Sequence, residues 1–126
     1  MVELKSKREV QIIGESGKIL QKVVAALRPM IREGMTGLDL DRAAEQVIRE
    51  NGAQASFKGY RGYPATICVS VNEEVVHGIP DHRKLMNGDI VSIDAGVKWN
   101  GFHSDAARTW TVGGVDERRR QLIAVA

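Results

Sequence analysis

Asp94 and Asp105 fall on the two arms of a predicted β-hairpin, spaced so that both carboxylates face the same way. Asn100-Gly101 separates two β-prone runs, residues 88–99 and 102–112. Asn-Gly in that position is the strongest short-range hairpin signal, because a type I′ turn needs φ > 0 at both central residues. With that turn Trp99 pairs with Phe102, Asp94 lies opposite Ala107, and Asp105 lies opposite Gly96. Side chains alternate along a strand, so these four share one face. The two aspartates are then diagonal neighbours, roughly 7–8 Å apart between backbones. Gly96 and Ala107 are small and leave space beside the carboxylates.

Two like charges on one sheet face repel, and partial burial adds a desolvation cost. A divalent cation held between them is the simplest compensation. The bland alternative is an amphipathic hairpin with one wet face, common in antiparallel sheets. The opposite face carries Val91, Ile93, Ala95, Val97, Ala106 and Trp110, interrupted by Ser104 and Arg108. The polar face carries Ser92, Asp94, Asp105 and Thr109. A turn one residue longer or shorter would put the aspartates on opposite faces and remove the metal reading.

The elements that must support this hairpin are legible as patterns. From about Ser6 to Leu27, one stripe at helical spacing holds Ile12 or Ile13, Ser16, Leu20, Val23, Val24 and Leu27. Pro29 disturbs this helix and Gly34 ends it. Thr36-Gly37-Leu38-Asp39 resembles a capping box with Asp in place of Glu. It opens a second helix to about Glu50, whose apolar side is Leu40, Ala43, Ala44, Val47 and Ile48, with Asn51-Gly52 as a stop. Residues 57–64 are a loop rich in glycine and aromatics. Residues 65–71 read as a strand with Ile67, Val69 and Val71 alternating, and residues 73–77 as a short strand or turn broken by Gly78-Ile79-Pro80. Gly113-Gly114 marks a boundary, after which Leu122, Ile123 and Val125 begin another helical stripe. The chain stops at Ala126 with that stripe barely started, which reads as a cut. Two helices, a β-region and the start of a further helix predict an α+β unit followed by the first piece of another.

Composition removes several classes. The chain has 126 residues, room for one domain with a modest core. Its net charge is +2, from 18 basic and 16 acidic residues, too small to argue for nucleic acid. Arg118-Arg119-Arg120 is most simply a solvated helix face. Cys68 is the only cysteine, so neither an internal disulfide nor a cysteine cage is available. The charged N-terminus (Glu3, Lys5, Lys7, Arg8, Glu9) is unlike a signal peptide, and no apolar run approaches ~18 residues, the length of a membrane span. The cytoplasm is the default compartment.

Other candidates carry a bland reading beside the functional one. His77 sits before Gly78-Ile79-Pro80, a fixed turn that could aim its ring, yet a lone histidine at a strand end is more often structural. His103-Ser104-Asp105 has the residue types of a catalytic triad, but neighbours on a strand alternate faces, so it cannot act as one. Cys68 with His77 could imitate a thiol–imidazole pair; Cys68 on a strand is more simply a small core residue. Phe57, Tyr60 and Tyr63 either line an apolar pocket or pin down their own loop.

Taken together, Tyr60-Arg61-Gly62-Tyr63-Pro64, residues 68–80 (ending Val76-His77-Gly78-Ile79-Pro80) and residues 88–105 closely resemble type I methionine aminopeptidases. The two-Asp hairpin is shared with the wider pita-bread metallopeptidases, including prolidases, whereas the Asn72-Glu73 to Pro80 block resembles the type I methionine enzymes. The resemblance covers the whole chain. It implies an α+β fold: one half of a pita-bread fold, two helices on an antiparallel sheet containing the two-Asp hairpin. Residues 1–114 would be the amino-terminal half and residues 115–126 the start of the first helix of a missing second half.

The resemblance also implies roles. Asp94 would chelate one metal and Asp105 would bridge two, the metals being Co, Mn, Fe or Zn. His77 would contact the substrate near the scissile bond without binding metal. Phe57, Tyr60, Tyr63 and Cys68 match positions lining the pocket for the substrate methionine, although related enzymes can carry a cysteine where Phe57 stands. Asn72 matches part of a monovalent-cation site. The family's other ligands, one histidine and two glutamates, fall in the second half, as does a second substrate-facing histidine. The expected activity is removal of the initiator methionine from nascent peptides, near the ribosome. This chain, with two of the five ligands, is expected to hold metal weakly or not at all and to be inactive alone. Two alternatives of other kinds stand beside it. One is a non-catalytic module pairing with itself through the surface left by the missing half. The other is a ribosome- or nucleic-acid-binding relative, against which the small net charge argues.

Overall fold

The computed structural model describes residues 6–59, 62–72 and 78–113. Helix α1 (Lys7–Leu27) starts at a capping box. The Ser6 hydroxyl accepts from the Glu9 N–H at 3.1 Å, and the Glu9 carboxylate accepts from the Ser6 N–H at 3.2 Å. The helix buries Ser16, Ile19, Leu20, Val23 and Leu27, while Val24, expected on the stripe, is only half-buried. Ile19 was outside the expected stripe, which shows that the buried arc is wider than one row of i, i+4 positions. Pro29 lies in a single 3-10 turn (Arg28–Met30), where its missing N–H costs nothing. Helix α2 (Gly37–Glu50) opens on a second capping box, with the Thr36 hydroxyl accepting from the Asp39 N–H and the Asp39 carboxylate from the Thr36 N–H. It buries Leu40, Ala44 and Ile48 and closes at Asn51-Gly52, where Gly52 takes φ +70°.

The sheet is antiparallel throughout. Strand β1 (Gln54–Ala55) and strand β2 (Ile67–Val71) both pair with one side of β3 (Ile90–Trp99), and β4 (Phe102–Thr111) pairs with its other side. Asn100 and Gly101 form the turn with φ +49° and +84°, the left-handed geometry that type I′ requires. Both helices cover one sheet face. The core joins Leu20, Val23 and Leu27 of α1 and Leu40 and Ile48 of α2 to Ile67, Val69, Val91, Ile93 and Val97 of the sheet. Ser16 is buried in this layer, and its hydroxyl donates to the Val97 carbonyl at 3.3 Å, tying α1 to β3.

The strand expected from residue 65 begins at Ile67. The Asp41 carboxylate accepts from both the Thr66 and Ile67 N–H groups, at 2.9 Å each, and takes the place of a strand partner there. Cys68 is buried along with Ile67 and Val69, so β2 is covered on both faces at that point instead of alternating. The expected strand or turn at 73–77, the helix from 115 and Arg118–Arg120 lie outside the described residues. No described helix is long and apolar enough to cross a membrane.

Candidate metal-binding face of the sheet

The register puts the two aspartates together. Asp94 pairs with Ala107 and Gly96 with Asp105, so both carboxylates lie on the sheet face away from the helices. Asp94 is half-buried and Asp105 exposed. Cys68 of β2 pairs with Asp94 from the other side, so one row across this face reads Cys68, Asp94, Ala107. His103 and Asp105 share the face while Ser104 points to the helix layer, which dismantles the apparent triad.

A loop covers part of this face. A Cβ built on Gly96 would stand 3.0 Å from Phe57 Cε1 and 3.0 Å from Ser56 Cβ, so Phe57 lies directly over the glycine. The Ser56 N–H donates to the Gly96 carbonyl at 3.0 Å, and its hydroxyl lies 2.9 Å from His103 Nδ1. Ser56 and His103 were not foreseen as partners. Tyr63 closes the other side, its hydroxyl donating to the Ile67 carbonyl at 2.8 Å. Burial pushes the Tyr63 phenol well above its usual range, and the hydrogen bond to Cys68 pushes it further. Burial likewise raises the Cys68 thiol; the Tyr63 hydroxyl pulls it down, and the Asp94 charge raises it again. A thiol that holds its proton more tightly beside a carboxylate is a poor nucleophile.

Asn72 ends β2 in a left-handed conformation, φ +56°. Its amide nitrogen donates to buried Asp89 at 3.0 Å, and its amide oxygen accepts from the Ile90 N–H at 2.9 Å. Both ends of this side chain therefore tie β2 to β3. His77 and Tyr60 lie outside the described residues, and nothing structural is assigned to them.

Asp94 and Asp105 are hard oxygen donors of the kind divalent cations select. Among the described residues, no three His, Cys, Asp or Glu side chains converge in a way that could hold a metal ion. The described part of the chain thus fits a fraction of a metal centre.

The sequence pattern of metallopeptidase family M24 matches residues 11–126. The chain belongs to that family. It is 48% identical to a methionine aminopeptidase of Clostridium perfringens over 125 residues, covering 99% of this chain and 50% of the relative. Two solved methionine aminopeptidases superimpose closely. That of Rickettsia prowazekii gives a TM-score of 0.95 at 30% identity, covering 99% of this chain and 50% of the other. That of Thermotoga maritima gives 0.94 at 38% identity, covering 99% and 51%. The chain therefore has the α+β architecture of the pita-bread M24 proteins, and it spans about half the length of the relatives it matches.

Proposed function

We propose that this chain supplies the two-aspartate side of a methionine aminopeptidase centre that removes the initiator methionine. The observation that carries the reading is the placement of Asp94 and Asp105 as diagonal neighbours on one sheet face, beside Gly96 and Ala107. In this reading Asp94 and Asp105 would be the residues of this chain that hold the divalent ions, which would be Co, Mn, Fe or Zn. When bound, such ions supply Lewis-acid polarisation of the scissile carbonyl and lower the pKa of the attacking water.

The chain's own residues then position the substrate. Phe57 over Gly96, Tyr63 on the Ile67 carbonyl and the protonated Cys68 thiol form apolar walls next to the aspartates, suited to an unbranched thioether side chain. The family resemblance would give Tyr60 a place in the same substrate pocket and His77 a contact with the substrate near the scissile bond. A monovalent cation at Asn72 would use the backbone carbonyl, because both polar atoms of the side chain are engaged. The remaining one histidine and two glutamates must come from outside these 126 residues, so the chain alone does not turn over. The setting is the cytoplasm, where nascent peptides emerge from ribosomes. A net charge of +2 lends no support to direct nucleic-acid contact.

Two experiments test this. The 126-residue chain, given Mn or Co, should release no methionine from a Met-Ala-Ser peptide beyond an Asp94→Ala control; turnover lost in that control would refute incompleteness. A chimera in which this chain replaces the matching 125 residues of the Clostridium perfringens relative should release methionine, and Asp94→Ala or Asp105→Ala should abolish it. A folded but inactive chimera would refute the functional assignment.

A further inference from the structure

Asp41 lies inside helix α2, at the border of its buried stripe between Leu40 and Ala44. Two effects oppose an aspartate there. Its short side chain competes for backbone groups, which lowers its helix propensity. Burial raises its carboxyl above the ordinary range, so the charged form is held at a cost.

What offsets both lies outside the helix. One oxygen of Asp41, Oδ1, accepts from the Thr66 N–H and from the Ile67 N–H, at 2.9 Å each. The Tyr63 hydroxyl donates to the Ile67 carbonyl at 2.8 Å. The N–H and C=O of one strand residue point the same way, so Ile67 turns both away from β3, and side chains take both. Its own side chain is fully buried in the core. The next residue, Cys68, takes the opposite face, pairs with Asp94 and lies against the Tyr63 hydroxyl. Two walls of the candidate pocket therefore meet at the backbone of Ile67, which Asp41 grips from the helix layer. Thr66 is fully buried, and its hydroxyl has no hydrogen-bond partner among the described residues. What α2 grips at Thr66 is the backbone, so the side chain there can be changed without touching the clamp.

We propose that Asp41 is a positioning residue for the substrate side-chain pocket. By fixing the backbone of Thr66 and Ile67, it sets where Tyr63 and Cys68 stand beside the aspartate pair, and with that the preference for an unbranched side chain. The inference rests on the reading of this face as part of a methionine aminopeptidase centre. Geometry carries it, because one oxygen must sit between two successive N–H groups. Asp41→Asn keeps such an oxygen without the charge. Asp41→Glu keeps the charge but carries it one methylene further out, against the strand end. Asp41→Ala leaves both N–H groups without their acceptor.

Two measurements test this on those three variants and on Thr66→Val, a control at the same strand end. The first, on the 126-residue chain, is the rate of iodoacetamide labelling of Cys68 at fixed pH, corrected for global opening by each variant's urea stability. Asp41→Glu and Asp41→Ala should label about tenfold faster than the parent, whereas Asp41→Asn and Thr66→Val should stay within about twofold of it. The second, on the Clostridium perfringens chimera, is the ratio of kcat/KM for Met-Ala-Ser to that for Leu-Ala-Ser. Asp41→Glu and Asp41→Ala should lower this ratio about tenfold, through a higher KM for Met-Ala-Ser with kcat within about twofold, and Asp41→Asn should restore it. A merely structural role would lower the amount of folded enzyme and reduce kcat for both peptides alike. Unchanged labelling or unchanged selectivity in Asp41→Glu and Asp41→Ala, or an Asp41→Asn variant that fails with them, would overturn the proposal. A parent chimera without turnover would refute the reading of the site instead, and the labelling pattern alone would then decide whether Asp41 places Cys68.

Discussion

Gly96 is the residue on which the candidate site depends most for space, and adding one methyl group there has a cost that can be worked out. The backbone does not require glycine, because Gly96 is absent from the positive-φ residues. Alanine would therefore gain about 0.4–1 kcal/mol through a less flexible unfolded chain. Against this, its Cβ would stand 3.0 Å from Phe57 Cε1, 3.2 Å from Phe57 Cζ and 3.0 Å from Ser56 Cβ. The ring can tilt, but Ser56 is held by its N–H on the Gly96 carbonyl and by its hydroxyl beside His103. Moving it weakens a backbone hydrogen bond worth about 0.5–1.5 kcal/mol. Overpacking of this kind costs about 1–3 kcal/mol, so Gly96→Ala should destabilise by about 1–2 kcal/mol net. Urea unfolding of the 126-residue chain measures this directly. The Phe57→Ala background adds the decisive comparison. With the ring gone, two of the three close contacts vanish, and the cost of Gly96→Ala should fall by about 1 kcal/mol. A Gly96→Ala variant as stable as its parent, or a cycle with no coupling, would mean that Phe57 does not lie over the sheet as described.

Substitutions at three further positions probe the supports of the same face. Asn72→Ala loses the bonds to Asp89 and Ile90 and puts a β-carbon in the left-handed region, so it should cost about 2–3 kcal/mol, whereas Asn72→Gly should cost about 1 kcal/mol less; equal losses in urea unfolding would remove the backbone term. Burial raises the Asp41 carboxyl above its ordinary 3.8, outweighing the two N–H donors that lower it. The folded state then binds more protons than the unfolded one above that pH, so Asp41 contributes stability present below 3.8 and lost as pH rises through the folded value. Asp41→Asn should abolish this slope in a pH series and leave pH 7 stability equal or higher, while Asp41→Ala, which strands the Thr66 and Ile67 N–H groups, should lose about 1–3 kcal/mol; a slope unchanged by Asp41→Asn would show that another group sets it. The Asp94 charge raises the Cys68 thiol, so Asp94→Asn should shift the pH midpoint of iodoacetamide labelling downward; an unmoved or higher midpoint would separate the two residues.

What could be read ahead of the structure was whatever a short local rule determines. Asn100-Gly101 admits a two-residue turn, and that turn alone carries the register that puts Asp94 and Asp105 on one face. Ser6 and Thr36 mark helix starts because an N-cap hydroxyl and an acidic residue three positions later satisfy each other's N–H groups. The covering of the face was not legible. Strand β1 is two residues long, too short for any alternation to register. The contacts of Ser56 with Gly96 and His103 span about forty residues or more and follow no period, and Tyr63 reaches a backbone carbonyl, which leaves no trace in side-chain pattern. Cys68 illustrates the difference: a small core residue is the simple reading of a cysteine on a strand, and it is buried, but no pattern in the sequence shows that the Tyr63 hydroxyl lies against it. The aspartates are thus positioned by secondary structure and their walls by tertiary contacts. Substitutions in the walls should accordingly change access and packing while leaving the diagonal aspartate pair where the turn puts it.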